Sequence, residues 1–487
     1  MNKNIKSLAP EIVWKHFAEI CAIPHPSGHE EEIRKYIINF AKQHGLEYIV
    51  DEADNIIVRK PATPGMEDRM GIVLQAHLDM VPQKNGDKVF DFEKDPIETY
   101  IDGEWVTANG TTLGADNGIG AAAALAVLEA KDIKHGPIEV LLTATEETGM
   151  VGAFGLRGGE LRGDIMLNTD SETEGELYVG CAGGLDANVT FEYKEDKTDF
   201  AGRTALAIEV KGLRGGHSGM EIILQRANAN KLLFRFLLSA WERYDMQLAS
   251  VDGGGLRNAI PREGKVVVYV PTSDAARFRS DLAAFEKTVI TEFDGIEDSI
   301  SIKAVDAQRG ASVIDRDTAK RLTKAVCGCP NGVITMSIAM HGLVQTSSNL
   351  ARVVSENGEI KLQALLRSSV NSEKEYLAEC ISSVFELAGA KVVLAGGYDG
   401  WKPNMNSPIL KAMQEVYKVK FGKTPEIMAI HAGLECGIIG GKYPKLDMIS
   451  FGPTIRYPHS PDEKVEIASV AKFWDFMKAT LENAPKK

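Results

Sequence analysis

An α/β domain interrupted by an inserted α+β module is the architecture this sequence predicts. Three observations carry it. Short apolar strand-like runs alternate with helical stretches over residues 8–170, the texture changes at Cys181-Ala182-Gly183-Gly184, and the α/β alternation resumes at Trp401. With 487 residues the chain exceeds what one core ordinarily serves, so two or three domains are expected. The boundaries are placed at 1–186 and 399–487 for the two segments of the α/β domain and 187–398 for the insert. Insertions of this kind are tolerated where the ends of the inserted segment lie close together.

The elements follow in order. Trp14, Phe17 and Ile20 have helical spacing after Pro10, the Pro24-His25-Pro26-Ser27-Gly28 run breaks it, and a second helix is expected over 30–44. Strands are expected at 47–50, 55–58 and 71–76, the last almost wholly apolar and therefore buried on both faces. An Ala-rich helix over 118–129 precedes strands at 138–143 and 166–168. The insert reads as two successive blocks of similar layout, an internally duplicated α+β module. The first has strands at 205–210 and 265–269 with helices at 226–241 and 274–293; the second has helices at 317–326 and 372–387 around strands at 334–339, 351–356 and 360–366. A helix over 409–421, a buried strand over 448–451 and a closing helix over 467–481 complete the α/β domain.

Composition narrows the function. Hydrophobic residues are 44% and charged residues 25%, the balance of a globular protein rather than a disordered or fibrous one. The net charge of −13 sets the overall field against phosphate backbones, so no nucleic-acid partner is expected. Six cysteines lie scattered without the rhythm of a disulfide scaffold or a zinc knuckle, which suits reduced thiols and a cytoplasmic location. The N-terminal segment has no signal-like apolar core and no stretch reaches eighteen uninterrupted apolar residues, so neither export nor a membrane partner is expected.

Chemistry-bearing residues cluster at the ends of predicted strands, where α/β sheets place ligands. His77-Leu78-Asp79 follows the apolar strand; residues two apart share a side, so Asp79 can orient His77 by its far nitrogen, although the pair alone fits a structural role. Asp116 in Gly114-Ala115-Asp116-Asn117-Gly118 is a ligand candidate or a plain helix N-cap, and the glycines match no phosphate loop. Glu146 and Glu147 end a buried strand, where adjacent carboxylates are costly without a cation or proton. Asp170 ends another strand, and His459 sits in a Pro-rich loop.

The ordered set H-x-D, G-A-D-N-G, E-E-x-G, N-x-D, Gly215-Gly216-His217-Ser218-Gly219 and Pro458-His459-Ser460-Pro461-Asp462-Glu463 resembles the dinuclear zinc exopeptidases, the superfamily of aminoacylases, carboxypeptidases and dipeptidases. The phrases Leu-Gly-Ala-Asp-Asn-Gly, Gly-Cys-Ala-Gly-Gly and His-Ala-Gly-Leu-Glu-Cys-Gly, with the expanded insert, are most similar to the bacterial aminoacyl-histidine dipeptidases, over essentially the whole chain. The resemblance implies a mixed-sheet catalytic domain with an inserted lid. It also implies two Zn²⁺, with Co²⁺ or Mn²⁺ as substitutes: His77 and Asp170 on one, Glu147 and His459 on the other, Asp116 bridging. Three carboxylates and a bridging hydroxide then neutralise the four positive charges, as a poorly solvated cleft requires.

That hydroxide would attack the scissile carbonyl, with Glu146 as general base and then acid, Asp79 supporting, and His217 stabilising the oxyanion. Asn258, Arg367 and Gly433 are the candidates for holding the substrate. The substrate implied is a small unblocked dipeptide, Xaa-His and carnosine-like compounds preferred, and a homodimer is compatible with the reading. The alternatives are a broad dipeptidase, a tripeptidase or an N-acyl amino acid deacylase sharing the metal set. From other classes come a non-catalytic peptide- or metal-binding protein and a hydrolase using Cys181 or Ser218, neither of which sits in a nucleophile elbow.

Overall fold

Strands without an alternating polar face must be covered on both sides, and the two most apolar runs show it: Ile72–His77 and Ile138–Thr143 are buried along their whole length. They pair in parallel as neighbours at the centre of a sheet whose order is Glu47–Val50, Ile56–Lys60, Ile138–Thr143, Ile72–His77, Ile165–Asn168, Asp447–Ser450, Glu176–Cys181, Glu426–Ile430. Ile165–Asn168 is parallel to both its neighbours, while the pairs at either side are antiparallel, so the sheet is mixed. The parallel centre brings the C-terminal ends of the strands holding His77, Thr143 and Asn168 to one edge.

This computed structural model describes residues 4–197 and 200–487. The chain divides into two compact units, one spanning Met1–Gly180, Pro403–Ala429 and Leu434–Lys487, the other Cys181–Lys402 and Ile430–Gly433. In the first, the Ala-rich helix Ala115–Glu129 is buried on nearly all sides, which small side chains permit. Asp116 and Asn117 are not helical, so the regular helix starts at Gly118. Gly120 is required there: a Cβ would meet Asn117 Oδ1 at 2.0 Å and Thr169 Oγ1 at 2.2 Å. A small sheet of Ile455–Arg456, Lys464–Glu466, Trp105–Ala108 and Thr99–Asp102 holds the loop of His459 between its first two strands.

The second unit is built on a nine-stranded sheet in which the two expected blocks merge. Gln247–Gly254 of the first block pairs antiparallel with Val344–Glu356 of the second, making one continuous surface. Residues two apart on its strands, such as Leu206, Ile208 and Val210 or Ile360, Leu362 and Ala364, point into a core shared with the helices Ala229–Arg243, Ala275–Glu292, Arg316–Gly328 and Asn371–Leu387. The strand Gly183–Glu192, unread in the sequence, begins inside the run that marked the change of texture. Its glycines are there for close approach, since a Cβ on Gly183 would lie 2.4 Å from the Tyr398 carbonyl oxygen. Among the described residues no helix is long and apolar enough to cross a membrane.

Candidate metal centre

His77 is the last residue of a fully buried strand, and its ring is fixed from behind. Nδ1 lies 3.0 Å from the backbone oxygen of Asp79 and 3.4 Å from its carboxylate, so the backbone carbonyl is the nearer acceptor, rather than the carboxylate expected from the H-x-D spacing. A proton donated there leaves Nε2 facing Asp116 Oδ1 at 3.1 Å and Asp170 Oδ1 at 3.3 Å. His459 Nε2 lies 3.2 Å from Asp116 Oδ2 and 3.0 Å from Glu147 Oε1. Two groups of donors within 4.8 Å of one another result, His77–Asp116–Asp170 and Asp116–Glu147–His459, with Asp116 in both. The Asp116 carboxylate, a possible N-cap in the sequence, faces the two imidazoles, one oxygen to His77 and the other to His459.

The electrostatics of this cluster are those of an acidic site with a need for positive charge. Burial works to strip the proton from His77, yet the charge of Asp170 and the hydrogen bond to Asp116 hold its pKa well above the ordinary range. The hydrogen bond to Asp116, and then the carboxylate of Glu147 close by, raise His459 to about 11. Burial, with Asp116 nearby and against the pull of His77, raises Asp170 well above a normal carboxyl. Burial would also raise Asp116, but its hydrogen bonds to His459 and His77 win and hold it below the usual carboxylate range. Protons on the two imidazoles thus stand where cations would. Glu147 Oε1 is buried and, though near His459, is not aligned for a hydrogen bond. Imidazole and carboxylate donors, one carboxylate shared and one buried oxygen unpartnered, fit a pair of divalent metal ions.

Glu146 lies half-buried beside Glu147, and with His77 the pair forms a third close group. Burial first, and then the charges of Asp170, Glu147 and Asp116 against the opposing His77, raise Glu146 to about 8. Asp79 is buried, and its carboxylate accepts the backbone N–H groups of Glu146 at 2.8 Å and Glu147 at 3.1 Å and the Ser27 hydroxyl at 2.8 Å. Burial disfavours its charge, but the His77 imidazole and these donors hold its pKa at about 2. Asp79 therefore shapes the Glu146–Glu147 loop more directly than it orients His77.

Three polar residues of this region escaped the sequence reading. Glu463 is buried and accepts four backbone N–H groups, of Leu113 at 2.8 Å, Gly114 at 3.0 Å, Ala115 at 2.8 Å and Asp116 at 3.3 Å. It thereby locks the Asp116 loop to the loop of His459. Asn117 Nδ2 donates to Asp170 Oδ1 at 2.6 Å. Glu172 is raised to about 7 by burial and the charge of Asp116. The one signal in the sequence was an acid, Glu463, closing a Pro-rich loop.

The second unit gathers the remaining candidates. A Cβ placed on Gly219 would meet the His431 carbonyl oxygen at 2.3 Å, His217 Cε1 at 3.1 Å and Arg367 Nε at 3.2 Å, so these groups surround one spot. His217 Nδ1 accepts the N–H groups of Gly219 at 3.2 Å and Met220 at 3.1 Å, so a neutral ring carries its proton on Nε2. Burial and the Arg367 charge lower its pKa, which keeps the ring neutral. Arg367 is buried, reaches the Tyr398 hydroxyl at 3.5 Å and has Nε without a hydrogen bond. A Cβ on Gly433 would lie 2.7 Å from that same hydroxyl. Asn258 is exposed, and its backbone oxygen accepts the Ser218 N–H at 2.8 Å.

The sequence pattern of Peptidase family M20/M25/M40 matches residues 73–483. Over 486 residues, 99% of both chains, the protein is 48% identical to the cytosol non-specific dipeptidase of Escherichia coli (strain K12). The crystal structure of aminoacylhistidine dipeptidase from Vibrio alginolyticus superposes with a TM-score of 0.96 at 49% identity, covering 99% of each chain. Aminopeptidase PepT from Bacillus cereus shares the fold at a TM-score of 0.61 and 18% identity, with 98% of this chain and 99% of that one covered.

Proposed function

This chain belongs to peptidase family M20/M25/M40, and from that premise we infer that it is a metal-dependent dipeptidase acting on unblocked dipeptides, Xaa-His among them. The observation that carries the inference is the pair of donor groups sharing Asp116. His77, Asp116 and Asp170 would hold one Zn²⁺ and Asp116, Glu147 and His459 the other, with Co²⁺ or Mn²⁺ as substitutes. Two such ions supply a lowered pKa for a bound water and polarisation of the scissile carbonyl.

The remaining work falls to the chain's own side chains. Glu146 takes the water's proton on its carboxylate and passes it to the leaving amine. Asp79 keeps Glu146 and Glu147 in place by holding their backbone N–H groups. The neutral His217, with its proton on Nε2, has the donor an oxyanion needs. Arg367 offers a fork that suits the substrate carboxylate, and Asn258 and Gly433 complete the substrate contacts. No side chain named here reads an imidazole, so the preference for Xaa-His rests on the relative from Vibrio alginolyticus alone.

The reading extends to a cytoplasmic enzyme, in keeping with the name of the Escherichia coli relative. It extends also to a homodimer, supported by the exposed Ile334 and Met336 on the strand Gly332–Met336 and by Ile338 just beyond it; sedimentation equilibrium tests that assembly. The enzymatic reading is tested with Xaa-His, Xaa-Leu, tripeptides and N-acetyl amino acids in the presence of Zn²⁺, Co²⁺ or Mn²⁺. Dipeptides should turn over best and a chelator should abolish the activity; undiminished hydrolysis after metal removal would sink the reading.

A further inference from the structure

Beneath the metal centre, one layer deeper in the same sheet, polar side chains meet where apolar ones would be expected. Gln75, Thr143, Asn168 and Ser450 sit at or near the ends of four adjacent strands, and each is at most 1% exposed. Their hydrogen bonds run in one direction. The Ser171 and Ser450 hydroxyls are 2.7 Å apart, and Ser450 donates to Asn168 Oδ1. Asn168 Nδ2 donates to Gln75 Oε1, and Gln75 Nε2 donates to Glu435 Oε2 at 2.6 Å. Thr143 Oγ1 donates to the same Glu435 oxygen at 2.8 Å. A chain of donors converging on one acceptor is held more firmly than its separate links.

Glu435 comes from the first turn of the helix Glu435–Lys442, within the His-Ala-Gly-Leu-Glu-Cys-Gly run that had no role from the sequence. It is 1% exposed, and Oε1 has no hydrogen-bond partner. Both donors converge on the other oxygen, Oε2, which is where the chain ends. Burial and the neighbouring charge of Glu146 raise its pKa to about 8.

Three of the four strand ends that the chain touches lead into the site. Two residues beyond Gln75 is His77, three and four beyond Thr143 are Glu146 and Glu147, and Asn168 Oδ1 accepts the backbone N–H of Asp170 at 3.2 Å. We propose that Glu435 is a positioning residue, the acceptor that ends this hydrogen-bond chain and so sets where His77, Glu146, Glu147 and Asp170 stand. The inference rests on the functional reading only in taking those four residues as ligands and base.

The test compares Glu435→Gln, Glu435→Ala and Thr143→Val, using Co²⁺ titration with visible spectra in the absence of substrate, and kcat and KM on a dipeptide. Glu435→Gln preserves an acceptor oxygen and should stay within about threefold of wild type in every readout. Glu435→Ala should weaken Co²⁺ binding or lower kcat about 10–100-fold, the usual cost of losing support behind a metal ligand, with KM changed less than about threefold. An alanine variant that only melts earlier while keeping the Co²⁺ spectrum and kcat would overturn the proposal. So would a glutamine variant as impaired as the alanine one, because an acceptor oxygen alone would then not suffice. If Glu435→Ala does not fold, Thr143→Val removes one converging donor at nearly constant shape and should still shift Co²⁺ affinity several-fold; no shift refutes the role. A wild-type protein that binds Co²⁺ but cleaves no dipeptide would defeat the functional reading while leaving the Co²⁺ comparison valid.

Discussion

Replacing Asp79 by asparagine is an isosteric change with a calculable effect. The carboxylate places one oxygen against the N–H of Glu146 and the other against the N–H of Glu147 and the Ser27 hydroxyl. An asparagine must turn its NH₂ towards one of these donors, so at least one bond to a charged acceptor is lost, worth about 1.5–3 kcal/mol. The pKa gives a second figure, one that also counts the His77 imidazole. Burial opposes the charge of Asp79, yet its neighbours hold it at about 2 against an ordinary 3.8, which corresponds to roughly 2.5 kcal/mol favouring the ionised form. The two figures agree. A carboxyl with a lowered folded-state pKa contributes its stability above 3.8 and loses it as the pH falls through 2. Metal-free Asp79→Asn should therefore melt about 2–5 °C below wild type between pH 5 and 8, the gap closing towards pH 2. Because the lost bonds hold the loop of Glu146, the proposed general base, kcat with saturating Zn²⁺ should fall about 10–100-fold. Calorimetry and initial rates decide it: a variant melting within 1 °C of wild type, with kcat within about twofold, refutes the assignment of Asp79 as the anchor of that loop.

Other substitutions separate the remaining roles. Glu146→Gln should retain both metals by elemental analysis while kcat drops about 10²–10⁴-fold; a fully active, metallated variant excludes Glu146 as the base. His217→Ala should lower kcat about 10²–10³-fold, the scale of one lost oxyanion donor, without altering metal content. Since His77 and His459 are held protonated above their ordinary range when no metal is bound, metal binding must expel protons. Apparent Zn²⁺ affinity should rise with pH through the neutral range, and calorimetric titrations in buffers of different ionisation enthalpy should report proton release; a pH-independent affinity would contradict it.

Much of the fold was legible because its signals are local. The apolar runs ending in His77 and Thr143 announce a doubly covered sheet, and the Ala-rich stretch after Asn117 announces a buried helix. The merged sheet of the insert was not legible. A pairing such as Asp252 with Val354 joins residues about a hundred positions apart, and the weak alternation of exposed strands such as Lys391–Tyr398 carries no core signal. Duplicated layout in the sequence speaks to repeated elements, whereas which edge meets which is decided by tertiary packing.

The site divides along the same line. Groups whose chemistry faces other side chains, His77, Asp116, Glu147, Asp170 and His459, stood out as acids and imidazoles at strand ends, because burying such groups is costly without compensation. Groups that work through the backbone did not. Glu463 accepts four amides almost 350 residues away in sequence, and Asp79 accepts two amides almost 70 residues away. Every residue type offers the same N–H, so no pattern of side chains marks where these bonds will go. What such an acid does show in a sequence is its context: Glu463 closing a Pro-rich loop and Glu435 among small apolar residues are both carboxyls without a visible reason to be exposed. In a metal centre, a buried acid beyond the ligand count is therefore to be sought as an acceptor of amides or amide side chains. The ligands are held only as well as those acceptors hold the loops and strand ends beneath them.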